Sequence, residues 1–173
     1  AVEASRVPVI ASHSGLRHFT PGFERNLSDE LAKAIAAKGG VIQVTFGSAF
    51  VNPQMAADLV ANMQAEAALE ARNAAARAAG KPEEDEAAFA AEWKRAHPPL
   101  ATSISAVLDQ IDYGVKLVGI DHIGLGSDFD GVSGNLPDGL RAGLDRRPYP
   151  QQVAAEDLAD VAVAVAARLQ AGD

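Results

Sequence analysis

Ile120-Asp121-His122-Ile123-Gly124-Leu125-Gly126 runs directly into Ser127-Asp128-Phe129-Asp130-Gly131. The first seven residues are short, apolar and partly β-branched, and predict a buried strand; the five that follow are its polar exit into a Gly- and Pro-containing loop that reaches Pro150. Two more runs of the same kind precede it, Val7-Pro8-Val9-Ile10-Ala11-Ser12 and Val41-Ile42-Gln43-Val44-Thr45-Phe46. Between them lies helical sequence. Ser28 is placed as an N-cap with Asp29 and Glu30 in the first turn, Leu31, Ala34 and Ile35 form an apolar face, and Gly39 or Gly40 ends the helix. A second helix is predicted from about Thr102 to Lys116, with Ile104, Val107, Leu108, Ile111 and Val115 as its buried stripe. A last helix carries Leu158, Val161, Val165 and Leu169 on one side.

Residues 54–97 break the alternation. They are Ala-rich and charged, and read as two helices interrupted at Gly80-Lys81-Pro82, with Phe89 and Trp93 four apart on one face of the second. Apart from this insertion the order is strand, helix, strand, helix, strand, helix, which predicts an α/β protein with a parallel sheet and helical crossovers. Three strands do not close a stable barrel, but they fit three consecutive strands of a (β/α)8 barrel. The opening Ala1-Val2-Glu3-Ala4-Ser5-Arg6 reads as the end of a helix feeding the first strand, so the chain is expected to be part of something longer. Its exposed sheet edges would then favour self-association.

The bulk numbers exclude several classes. The chain has 173 residues, enough for one domain, and 48% are hydrophobic, as in a globular protein. The formal net charge is −8 and no basic stripe is present, so nucleic acid is not an expected partner. With no cysteine there is neither a disulfide framework nor a thiolate metal site. No apolar run reaches the roughly 20 residues of a membrane span.

In parallel α/β folds chemistry gathers where strands end. His13 follows the first strand, and alternation would put it on one face with Val7, Val9 and Ala11. Asp128 follows the third strand on one face with His122, Gly124 and Gly126, and Arg25 lies in the loop after His13. A neutral imidazole suits zinc, a carboxylate can be a ligand or a general base, and a guanidinium offers a fork to a substrate carboxylate. Spacing alone leaves the plain readings open: a hydrogen-bonded structural histidine, a turn aspartate and a surface ion pair.

Three segments carry a family resemblance. Pro8-Val9-Ile10-Ala11-Ser12-His13-Ser14 resembles the P-V-I-x-S-H-S segment of the membrane (renal) dipeptidases, zinc-dependent enzymes of peptidase family M19. Arg25-Asn26 followed by Ser28-Asp29-Glu30 is similar to their R-N-x-x-D-[DE] segment, and Asp121 to Gly131 to their D-H-[IV]-G-[IL]-G-[ST]-D-F-D-G signature. The resemblance implies that residues 1–173 are the C-terminal part, the last three strands, of a distorted (β/α)8 barrel, with a helical insertion at about 54–97. It implies two zinc ions at the barrel mouth, with His13 a metal ligand. Arg25 would bind the substrate's C-terminal carboxylate, and Asp128 would contact its amino group and handle a proton. Dipeptides would be the substrate, and the complete protein is expected to be a homodimer. Asp130 and Gly131 belong to the signature with a structural role, and His18, His97 and His122 match no ligand.

The departures are as informative. The family's H-x-D pair, its bridging Glu and a further His are missing from this sequence, so the chain alone holds an incomplete zinc site. Two alternatives therefore stand beside dipeptide hydrolysis: a metal-dependent amidohydrolase of another substrate class, and a non-catalytic fragment.

Overall fold

The computed structural model describes residues 2–126, 128 and 136–138. The expected last helix, Asp130 and Gly131 lie outside them. Three strands, β1 (Ile10–Ser14), β2 (Val41–Val44) and β3 (Ile123–Leu125), form a parallel sheet in the order β1-β2-β3. Among the described residues five α-helices accompany it: α1 (Asp29–Ala37), the single turn α2 (Ser48–Val51), α3 (Pro53–Ala78), α4 (Glu86–Ala96) and α5 (Ile104–Val118).

Local chemistry sets the ends of α1. The Ser28 hydroxyl accepts from the Leu31 amide, Asp29 and Glu30 occupy the first turn, and their charges favour the helix N-terminus. Gly39, at φ 71°, takes the left-handed position after the C-cap; its amide donates to Ala36 and that of Gly40 to Ile35. This pair of bonds is a Schellman ending, and it turns the chain into β2.

One face of the sheet packs on α1 and α5. Leu16, Ala32, Ile35 and Ile42 form one buried cluster; Val44, Phe46, Val51, Val107, Ile111 and Leu136 form the other. Gly114 of α5 lies against β3 so closely that a Cβ there would come within 2.7 Å of Ile123 Cδ1. The strand bounds differ from the expected ones. β1 begins at Ile10, not Val7: Pro8 has no amide to donate, Val7 is 67% exposed, and the first link to β2 is the Val41 amide on the Val9 carbonyl. Gly119, at φ 92°, ends α5, and Ile120–His122 form a 3-10 turn, so β3 starts only at Ile123.

The Ala-rich stretch folds as the helical hairpin α3–α4, broken as expected around Gly80. Asn52 caps α3, its Oδ1 accepting from the Gln54 and Met55 amides at 3.0 Å each, with Pro53 at the first helical position. Little of the hairpin is buried: Ala56, Leu69 and Asn73 on α3, and no residue of α4.

Candidate active site

The register between β1 and β2 decides where His13 goes. Ala11 pairs with Ile42 and Ser14 with Val44, so three steps along β1 match two along β2. The extra residue is a bulge, and it sets both Ser12 and His13 opposite Gln43. Ala11 packs among the α1 and α5 side chains and Ser14 is buried, whereas Ser12 and His13 are exposed. The expected face shared by Ala11 and His13 is therefore corrected: the bulge turns His13 off the helix-covered side. The Ser12 hydroxyl lies 2.8 Å from His13 Nδ1. For Nε2 to bind a metal, Nδ1 must carry the proton and donate to Ser12.

Arg25 is held by its neighbours. The Ser14 hydroxyl donates to the Arg25 carbonyl at 2.8 Å, tying the loop back to the end of β1. Asn26 is fully buried; its Oδ1 accepts from the Gly15 amide at 2.6 Å, and its Nδ2 donates to Thr20 Oγ1 at 2.6 Å and to the Phe50 carbonyl at 2.9 Å. From α5, Gln110 accepts from the Leu16 amide at 2.9 Å and donates to the same Phe50 carbonyl. These two amides join the loops after β1 and β2 into one unit. The guanidinium of Arg25 then sits 5.4 Å above the Phe50 ring, itself packed edge-on against Phe23.

That unit forms the floor of a cleft of about 390 Å³. Arg25 comes from the loop after β1, Gly47, Ser48, Ala49 and Phe50 follow β2, and Asp128 follows β3, so the cleft opens at the C-terminal ends of the strands. Asp128 is the one described non-glycine residue with positive φ, at 58°. Left-handed backbone of this kind costs free energy and gathers at functional sites. Helices α3 and α4 supply the roof with Met55, Asp58, Leu59, Asn62, Met63 and Trp93, joined by His97 at the C-cap of α4.

Arg25 and Asp128 thus share one cleft, and His13 is not in its lining. Among the described residues no three His, Asp or Glu side chains converge as a metal-ligand set. The pair of zinc ions implied by the resemblance therefore does not fit these residues by themselves; they offer one imidazole. The other histidines have plain partners. His122 Nδ1 lies 2.8 Å from the Gly40 carbonyl, and His18 stacks on Tyr113 at 4.3 Å. His97 Nδ1 contacts the Trp93 carbonyl at 3.1 Å, yet its ring also lines the cleft. Sequence reasoning passed over Asn26 and Gln110 as positioning residues. The signal for Gln110 was there, a polar side chain three residues after Val107 on the buried stripe of α5.

The comparisons agree on a family. The model of the membrane dipeptidases (peptidase family M19) matches residues 1–155. The Klebsiella pneumoniae "Uncharacterized protein in pqqA 5'region" is 32% identical over 141 residues, 80% of this chain and 36% of that protein. Dipeptidase ataJ of Aspergillus terreus is 30% identical over 132 residues, 76% of this chain and 22% of that protein. The solved structure of the probable dipeptidase PvdM from Pseudomonas aeruginosa superposes with a TM-score of 0.51 at 29% identity, covering 77% of this chain and 36% of that one. The chain thus spans about a third or less of these relatives' lengths, and over most of its own length it belongs to the membrane dipeptidase family, peptidase family M19.

Proposed function

We propose that the protein containing this chain hydrolyses dipeptides, with Arg25 and Asp128 holding the two charged ends of the substrate. The observation that carries the reading is their presence in one cleft at the strand ends. A dipeptide is a zwitterion a few ångströms long, and a guanidinium and a carboxylate on one cavity are complementary to it. Arg25 binds the C-terminal carboxylate. Asp128 accepts hydrogen bonds from the ammonium group and is placed to take or return a proton. His13 serves as one ligand in a metal site completed by residues beyond those described, and zinc is the metal that the family resemblance favours. A metal ion bound there would supply an activated water. The parallel sheet with helical crossovers and the likeness to PvdM support placing β1, β2 and β3 in a distorted (β/α)8 barrel, with α3–α4 as an insertion.

The test is a cycle of two changes, Arg25→Ala in the protein and amidation of the dipeptide's carboxylate. Each alone should lower kcat/KM about a hundredfold, since leaving one member of a desolvated ion pair unpaired costs roughly 2–5 kcal/mol. Together they should cost little more than either alone. If Arg25→Ala leaves kcat/KM unchanged for dipeptides while uncharged amides are good substrates, the alternative of an amidohydrolase acting on another substrate class takes its place.

A further inference from the structure

The stretch that looked least informative in sequence, the Ala-rich hairpin, carries its large side chains in an unexpected place. Met55, Leu59 and Met63 are spaced by four along α3 and form one stripe; Trp93 on α4 and His97 at its C-cap repeat the spacing. All five line the cleft that holds Arg25 and Asp128. Leu59 and Met63 are 36% and 58% exposed, so this apolar surface is turned to the cleft and not to the core. The indole and imidazole of Trp93 and His97 stack at 4.0 Å with their planes 15° apart, giving a flat, rigid wall. A carbonyl oxygen can only accept, so the bond from His97 Nδ1 to the Trp93 carbonyl places the proton on Nδ1 and fixes the ring's orientation.

We propose that this wall is the subsite for a substrate side chain and that it selects large apolar or aromatic residues. The inference rests on the dipeptidase reading, because Arg25 and Asp128 take the charged termini and leave only the side chains to meet the hairpin. A phenyl or branched aliphatic group would lie on the Trp93–His97 face, with the unbranched thioethers of Met55 and Met63 closing around it. One group on the wall argues for a cationic side chain, Asp58. Its Oδ1 already accepts from Gln54 Nε2 at 2.9 Å, so part of its hydrogen-bonding capacity is taken within α3.

The experiment uses the full-length, metal-loaded protein and measures kcat/KM for alanyl-alanine and for dipeptides with phenylalanine or lysine at either position. The unaltered protein should favour a phenylalanine dipeptide over alanyl-alanine by about tenfold or more, the range that differences in apolar side-chain contact support. Trp93→Ala should remove most of that ratio, Met63→Ala part of it, and Trp93→Phe should restore much of it. Neither Trp93 nor Met63 is buried in the core, so both variants keep the fold. Arg72→Ala, at the far end of the hairpin, should leave the ratio as it is. A ratio unmoved by Trp93→Ala, or moved as much by Arg72→Ala, overturns the subsite while leaving dipeptide hydrolysis intact. A preference for lysine that Asp58→Asn abolishes also overturns it. If no dipeptide is hydrolysed, the dipeptidase reading falls and takes the subsite with it.

Discussion

Asn26 and Asn73 are the same residue at the same burial, 0% and 1% exposed, and each pins a loop with its side-chain amide. Their surroundings differ. Asn26 sits where the sheet, α5 and the loop after β2 meet, and its partners Gly15, Thr20 and Phe50 are all buried from water. Asn73 sits in the hairpin, where its Nδ2 donates to the Glu84 carbonyl at 3.1 Å and its Oδ1 accepts from the Glu84 amide at 2.8 Å. Around it are surface ion pairs, Arg72 with Glu84 and Arg77 with Glu70 and Glu83. Apolar burial builds the first region; local helix formation and charges at the water's edge build the second. The candidate site lies between them, lined from both sides.

The largest expected effect tests the floor. Asn26→Ala removes three hydrogen bonds and leaves the buried Gly15 amide with no acceptor. At about 1–3 kcal/mol for such an orphan, plus the lost bonds, the variant should be destabilised by roughly 3 kcal/mol. Denaturant unfolding of the whole protein measures it. Because Arg25 is the preceding residue, KM for dipeptides should rise in the fraction that remains folded. A loss below about 1 kcal/mol would mean that Gln110 alone holds the two loops together.

Asn73→Ala should cost less, on the order of 1 kcal/mol, because the Glu84 backbone groups it frees lie where water can replace the amide. The effect should also be local. Amides of α3 and α4 should exchange faster with solvent, while those of β2 and α5 keep their protection. Uniform loss of protection across the chain would erase the contrast and make the hairpin part of the core's cooperative unit.

These two amides also mark what the sequence could and could not show. Helices with a stripe and a cap were legible: Ser28, Gly39 and the α5 face all act locally, within one or two turns. The break of the hairpin near Gly80 was legible for the same reason. Parallel strands bring their C-terminal loops together, and Arg25 and Asp128 do line one cleft, but His13, placed at a strand end by the same reading, does not line it. The bulge beside His13 was not legible, because a bulge is a mismatch between two strands and neither strand's own alternation contains it. Trp93 could be paired with Phe89 on spacing, and the two rings do lie 6.2 Å apart. That Trp93 stacks on His97 and faces the cleft depends on how the hairpin lies over the sheet, which the sequence of the hairpin does not encode by itself.

The smallest expected effect lies in acid and is read at the turn of the hairpin. The Arg72 guanidinium, 2.5 Å from Glu84, holds that carboxyl below its ordinary value of 4.5. A carboxylate with a depressed folded-state pKa stabilises the fold above its unfolded pKa, and that contribution is lost as the pH falls through the lowered value. Between neutral pH and 4.5 the hairpin should therefore feel nothing, and below 4.5 it should lose helix signal progressively. Glu84→Gln keeps the backbone bonds to Asn73 but has no proton to take up, so its helix signal should be lower at neutral pH and flatter in acid. Both side chains are about half exposed, so added salt should shrink the difference. An acid profile identical in the two proteins would show that Asn73 by itself holds the turn and that the ion pair beside it contributes nothing measurable.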